Sequence, residues 1–170
     1  METNSENAFD VWANRFHQQF EEGSRLEKEF RLTRTIVLTA RRWTTYADGL
    51  VRAATGHTRA RWQTLSALTF SDGPVGTLDL ARRMGLRWPT LIRVLNELEA
   101  EGLVDRARDE TDGRLRMIAI TPQGRALVDR VLTILNPARA DVLSVFSDEE
   151  LVTAERVIQR LLTVLVARDS

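Results

Sequence analysis

Arg87, Trp88, Thr90 and Arg93 fall within one seven-residue stretch near the middle of the chain. Each type suits recognition of a charged or planar partner. A guanidinium is a rigid fork of donors that matches phosphate oxygens or the O6/N7 edge of guanine bidentately. At helical spacing, Arg87, Thr90 and Arg93 fall on the side opposite Leu91, Val94, Leu95 and Leu98. More arginines surround this stretch: Arg82 and Arg83 before it, Arg108, Arg114 and Arg116 after it. Arg82, Arg83, Arg108 and Arg116 suit phosphate contacts, which position a protein on a duplex without reading its sequence. Arg114 follows Asp112-Gly113 on a charged tip, and a narrow A·T-rich minor groove attracts an arginine presented in that way. Asp112 serves to orient it.

A second set combines arginine with aromatic rings. Arg42, Trp43 and Tyr46 lie on one stretch, and His57, Arg61 and Trp62 on the next, with His17 upstream beside Phe16. Stacking plus a charge-assisted hydrogen bond suits a planar anion such as an aromatic carboxylate. The competing account makes Trp43 and Trp62 core residues. Other chemistries find no residues to carry them. Cysteine is absent, which removes disulfides, thiolate metal sites and thiol redox switches. The two histidines stand 40 residues apart with no ligand spacing, so no zinc site is expected. No nucleophile elbow, phosphate-cradling glycine loop or histidine–carboxylate pair is present, so neither an enzyme nor a bound cofactor is expected. The carboxylates of Asp109, Glu110 and Asp112 sit on the charged tip, a poor place to exclude water.

Whole-chain totals agree with a soluble globular protein. At 170 residues the chain suits one core with an appended element. Twenty-four basic residues balance 24 acidic ones, so binding to a polyanion must come from local placement, not net charge. No apolar run approaches the ~20 residues that span a bilayer. The start, METNSENAFD, lacks the order of a signal peptide. A cytoplasmic protein without membrane contact is expected.

The elements that must position these residues read as follows. Residues 1–6 read as disordered. Phe9, Trp12, Phe16 and Phe20 then recur on one helix face within an extension spanning residues 1–24. Ser24 with Glu27 reads as a capping box opening a helix from Arg25 to about Ala54, with two apolar faces and Gly56 at its end. Thr58 caps a third helix with Trp62, Leu65, Leu68 and Thr69 inward. After the turn Ser71-Asp72-Gly73-Pro74, Thr77 caps a short helix buried through Leu78, Leu80, Ala81 and Met84. Gly85 turns the chain into a helix from Trp88 to about Glu101, with Pro89 in its first turn. Two strands, Leu103 to Arg106 and Arg116 to Ile120, flank the charged tip. Thr121-Pro122 opens a helix that Pro137 should kink or interrupt, and Ser147 with Glu150 caps the last one. A helix-turn-helix followed by a β-wing puts its second helix into a DNA major groove. The apolar helices on either side exceed what one small head needs, which predicts a homodimer.

The phrases Asp79-Leu80-Ala81, Pro89-Thr90 with Arg93, Leu98-Glu99-Ala100-Glu101-Gly102-Leu103-Val104, Asp112-Gly113-Arg114, Ile120-Thr121-Pro122-Gln123-Gly124 and Phe146-Ser147-Asp148-Glu149-Glu150-Leu151 occur in this order. Together they resemble the MarR family of bacterial winged-helix transcription regulators, over roughly Leu32 to Val166. The resemblance implies a mainly α fold with a small β-wing, in which residues 25–56 and 122–170 form dimerisation helices around a winged helix-turn-helix at 57–121. It also implies recognition helices in successive major grooves of a near-palindromic double-stranded DNA operator, wings in the minor grooves, and repression relieved by a small-molecule effector, often an aromatic acid. The extension 1–24, Arg87 and Ile92 depart from the usual pattern. The alternative is a winged helix used for protein contacts alone, which a basic stripe and a basic tip together disfavour.

Overall fold

Residues 19–108 and 116–168 are described by the computed structural model, and the chain divides into two compact units, Met1–Arg59 and Ala60–Ser170. Of the expected N-terminal aromatic stripe, only Phe20 lies within the described residues, and its ring centroid is 5.0 Å from that of Phe30. The first unit is built on α1 (Arg25–Thr55). Ser24 Oγ caps it by accepting the Glu27 N–H at 3.1 Å. The predicted capping box is only half formed. Glu27 reaches one residue further back and accepts from the Gly23 N–H at 2.6 Å, while Arg31 donates to its other oxygen at 3.2 Å. That pairing explains how a glutamate stays buried here. At the other end the Gly56 N–H closes the helix on the Arg52 carbonyl. Both apolar faces expected of α1 are buried toward its C-terminal end, at Ala47 and Val51, whereas Leu32 and Val37 nearer its start are exposed.

The second unit begins within α2 (Arg59–Thr69) and continues through β1 (Val75–Gly76), α3 (Thr77–Met84), α4 (Trp88–Ala100), β2 (Val104–Arg108), β3 (Arg116–Ile120), α5 (Pro122–Leu143) and α6 (Asp148–Val166). Leu65 and Leu68 of α2 point inward as expected, and Trp62 and Thr69 are half-buried. Thr64, not foreseen as a core residue, is fully buried because its hydroxyl donates to the Ala60 carbonyl at 2.6 Å and lies 3.4 Å from Met84 Sδ. The sheet order is β1-β3-β2, all antiparallel. Strand β1 is two residues long and escaped sequence reading because so short a segment has no periodicity.

That strand also corrects the reading of Thr77. The residue flanking α3 is Gly76, with no side-chain cap, and the Thr77 hydroxyl donates instead to the Arg116 carbonyl on β3 at 2.9 Å. The threonine is buried and ties helix to sheet, while Leu78, expected in the core, is exposed. Thr121 caps α5 as predicted, its Oγ1 accepting from the Gly124 N–H at 3.0 Å. Pro137 does not interrupt α5, which runs through it to Leu143. It removes the hydrogen bond to the Thr133 carbonyl, but both residues are exposed, so water can satisfy that group. Ser147 and Glu150 form the full capping box of α6, and the two hydrogen bonds from Ser147 hold the Glu150 carboxyl below its usual range.

Candidate nucleic-acid interface

The geometry that presents α4 starts with the turn before it. Gly85 has φ 59°, a left-handed conformation that costs glycine little. Its N–H bonds to the Arg82 carbonyl at 3.2 Å and the following Leu86 N–H to the Ala81 carbonyl at 3.1 Å, so α3 stops within one residue. Leu80 of α3 and Leu91, Leu95 and Leu98 of α4 are wholly buried in one core with Ile118 of the wing. Burying each such side chain contributes about 1.5–3 kcal/mol, which fixes the rotation of α4 about its axis.

With that face committed, the opposite face must be open. Arg87, Trp88, Pro89, Arg93 and Asn96 are exposed there, and Thr90 and Ile92 are half-buried. Arg87 precedes the helix without capping it, and Pro89 occupies the first turn where its missing N–H costs nothing. The guanidiniums of Arg87 and Arg93 make no ion pair or hydrogen bond among the described residues. Around them, Arg82 and Arg83 stand exposed on α3. Arg82 lies 3.8 Å from Asp79, and Arg83 donates to Ser71 Oγ at 3.1 Å. Arg116 is exposed at the start of β3, directly opposite Arg108 in the strand register. Arg114 and the tip residues 109–113 lie outside the described residues. The structure therefore brings Arg82, Arg83, Arg87, Trp88, Thr90, Arg93 and Arg116 into one unit, with the free cations on α4's open face.

Sequence reasoning missed a second group at α4. Arg106 on β2 donates to Asn96 Oδ1 at 2.7 Å and ion-pairs with Glu99 at 3.2 Å. Arg61 on α2, assigned above to a ligand, is turned toward α4 instead, ion-paired with Glu101 and 3.9 Å from Glu97. The i,i+4 spacing of Glu97 and Glu101 was the available signal, since it makes one acidic flank that needs a cation.

The remaining ligand candidates divide between the two units. Arg42, Trp43, Tyr46 and His57 belong to the first, Arg61 and Trp62 to the second, and His17 lies outside the described residues. Trp43 and Tyr46 form a tilted ring pair with centroids 6.1 Å apart. Among the described residues no cluster of histidine, aspartate or glutamate could hold a metal ion, and no helix is long and apolar enough to cross a membrane.

Residues 55–115 match the family model of the MarR family. Among solved structures, the transcriptional regulator PA3341 is 29% identical with a TM-score of 0.72, the match covering 80% of this chain and 98% of that one. BldR, a transcriptional regulator from Sulfolobus solfataricus, is 24% identical with a TM-score of 0.69, covering 81% of this chain and 99% of BldR. MarR from E. coli, complexed with operator DNA, is 16% identical with a TM-score of 0.69, covering 82% and 99%. These matches run almost the full length of the other proteins, so they take in the flanking helices as well as the head. The family match falls on the head built by α2 to β2, and the fold around it is shared. The chain thus has the winged helix-turn-helix fold of these regulators, and residues 55–115 are similar to the MarR family.

Proposed function

We propose that the protein is a transcriptional repressor that binds a near-palindromic operator as a homodimer and releases it when a small aromatic acid binds. The observation that carries this reading is α4, whose core face is sealed while Arg87 and Arg93 stand exposed and unpaired among the described residues. A helix held in that way reaches base edges with its first turns while neighbouring arginines meet phosphates. The E. coli MarR structure with operator DNA and the S. aureus MepR–DNA complex support DNA as the partner. Regulators of this family act by binding, without catalysis.

Homodimerisation is supported by α6. None of its residues is buried, and Val152, Ile158, Leu162 and Leu165 are all exposed. Leu151, Ile158, Leu162 and Leu165 recur at i, i+7, i+11 and i+14, a stripe that seats on another helix. A second copy covering it sets two heads about one DNA turn, ~34 Å, apart. An aromatic acid is supported by the Trp43–Tyr46 ring pair with Arg42 alongside. Arg61, whose charge meets Glu97 and Glu101, contributes less to such a site than the sequence implied.

The test is a titration of purified protein against a duplex that it has itself selected from a random-sequence pool. Log affinity should fall linearly with log salt, with a slope of about −0.9 per phosphate neutralised. Benzoate or a related acid should then lower affinity at fixed salt. Absence of any salt-dependent duplex binding would refute the DNA reading and leave a protein-contact module.

A further inference from the structure

The C-terminal half of α4 has the wrong charge for a helix that approaches a polyanion. From residue 87 to 101 the chain carries Arg87 and Arg93 against Glu97, Glu99 and Glu101. Left to itself, this segment is net negative. The structure shows two cations supplied to it from other elements. Arg61 comes from α2 and meets Glu97 and Glu101, which lie on one flank of the helix. Arg106 comes from β2 and meets Glu99, with Asn96 accepting its second donor on the other flank. Both arginine side chains are largely covered, 14% and 17% exposed, while their acidic partners remain about half open at 45–46%. The cations are built in and the carboxylates face solvent.

We propose that Arg61 and Arg106 are positioning residues for DNA reading: they neutralise the recognition helix's own carboxylates and clamp that helix between α2 and the wing. This rests on the DNA-binding reading above and adds a role that neither arginine could have by touching DNA. In water the half-open carboxylates cost folding little when these arginines are lost, because solvent screens them. Beside phosphates they cost much more, since like charges repel across a face from which water is being removed. Loss of either arginine therefore acts on binding more than on stability. The ion pairs of these two arginines also link three elements, α2, α4 and β2.

The test uses the full chain with Arg61→Gln and Arg106→Gln, each alone and each combined with neutralisation of its partners. The combinations are Arg61→Gln with Glu97→Gln and Glu101→Gln, and Arg106→Gln with Glu99→Gln. Fluorescence anisotropy is read with a duplex selected by the wild-type protein and with a scrambled duplex of equal composition, across a salt series. Each single change should weaken binding about tenfold, the scale of one lost favourable contact. The deficit should shrink as salt rises, because screening weakens the repulsion. The combined variants should recover most of the affinity, which a purely structural role for arginine does not allow. If a single variant fails to fold, Glu99→Gln in the wild-type background serves instead, and should bind both duplexes more tightly. Wild-type-like affinity of the single variants, or no recovery on neutralising the acids, overturns the proposal. Failure of the wild-type protein to bind either duplex overturns the DNA reading itself.

Discussion

Gly124 is the position where the packing of this fold leaves least room. It sits in the first turn of α5, and a Cβ added there would lie 2.2 Å from the Leu103 carbonyl oxygen and 2.7 Å from Ile120 Cγ1. The first neighbour is backbone and cannot rotate away. Reaching an ordinary contact of about 3.3 Å between carbon and oxygen needs a retreat of roughly 1 Å. That carbonyl also accepts the Thr121 N–H at 3.2 Å, and the Thr121 hydroxyl both caps α5 and donates to the Gly102 carbonyl at 2.7 Å. A retreat therefore stretches hydrogen bonds worth about 1 kcal/mol each, on top of about 1–3 kcal/mol for overpacking. Alanine returns at most about 1 kcal/mol of helix propensity. The expected result for Gly124→Ala is a net loss of about 2–3 kcal/mol, or a fall in Tm of roughly 5–10 °C for a chain of this size. Urea or thermal unfolding by circular dichroism, at one fixed protein concentration, measures it. A variant as stable as the wild type would refute the reasoning, because it would mean that α5 is not held against the start of the wing.

Three further outcomes are expected. Arg114→Ala should weaken operator binding by about 1–3 kcal/mol in a gel-shift titration at fixed salt, whereas unchanged affinity would argue against an arginine at the wing tip entering the minor groove. Leu162→Glu places a charge on the exposed apolar stripe of α6, and light scattering should show a shift from dimer to monomer with the monomer still helical; a dimer that persists would remove α6 from the interface. Glu150 has a lowered folded-state pKa, so its contribution is present above the unfolded value of 4.5 and is lost as pH falls through the lower folded value. Glu150→Gln should accordingly flatten the acid limb of the stability profile below pH 4.5, and identical limbs for both proteins would mean that the capping box is not maintained in solution.

How much of this was legible in the sequence depends on the range of the interaction. The core face of α4 (Leu91, Val94, Leu95 and Leu98) is buried as its spacing predicted, because helical periodicity is a local property. The caps at Ser24, Thr121 and Ser147 are present for the same reason: the accepting hydroxyl and the donating N–H lie within three residues of each other. The errors fall where a residue had two choices and a distant one won. Thr77 looked like a cap, but β3 passes close enough for its hydroxyl to bond the Arg116 carbonyl, 39 residues away. Arg61, read from the sequence as part of an anion site beside Trp62, also meets the carboxylates of Glu97 and Glu101, which no local pattern placed there. Glu27 reached Gly23, where a capping box needed it to reach Ser24.

By itself, then, the sequence determined the identity and order of the elements, the buried side of α4, the turn at Gly85 and the family that residues 55–115 resemble, since each is encoded in patterns a few residues long. The tertiary structure alone decided which charges remain free. Of the arginines around α4, Arg87 and Arg93 are left open among the described residues, while Arg61 and Arg106 are paired with the helix's own glutamates. A guanidinium pairs with whatever carboxylate the fold brings within a few ångströms, and no local pattern records that distance.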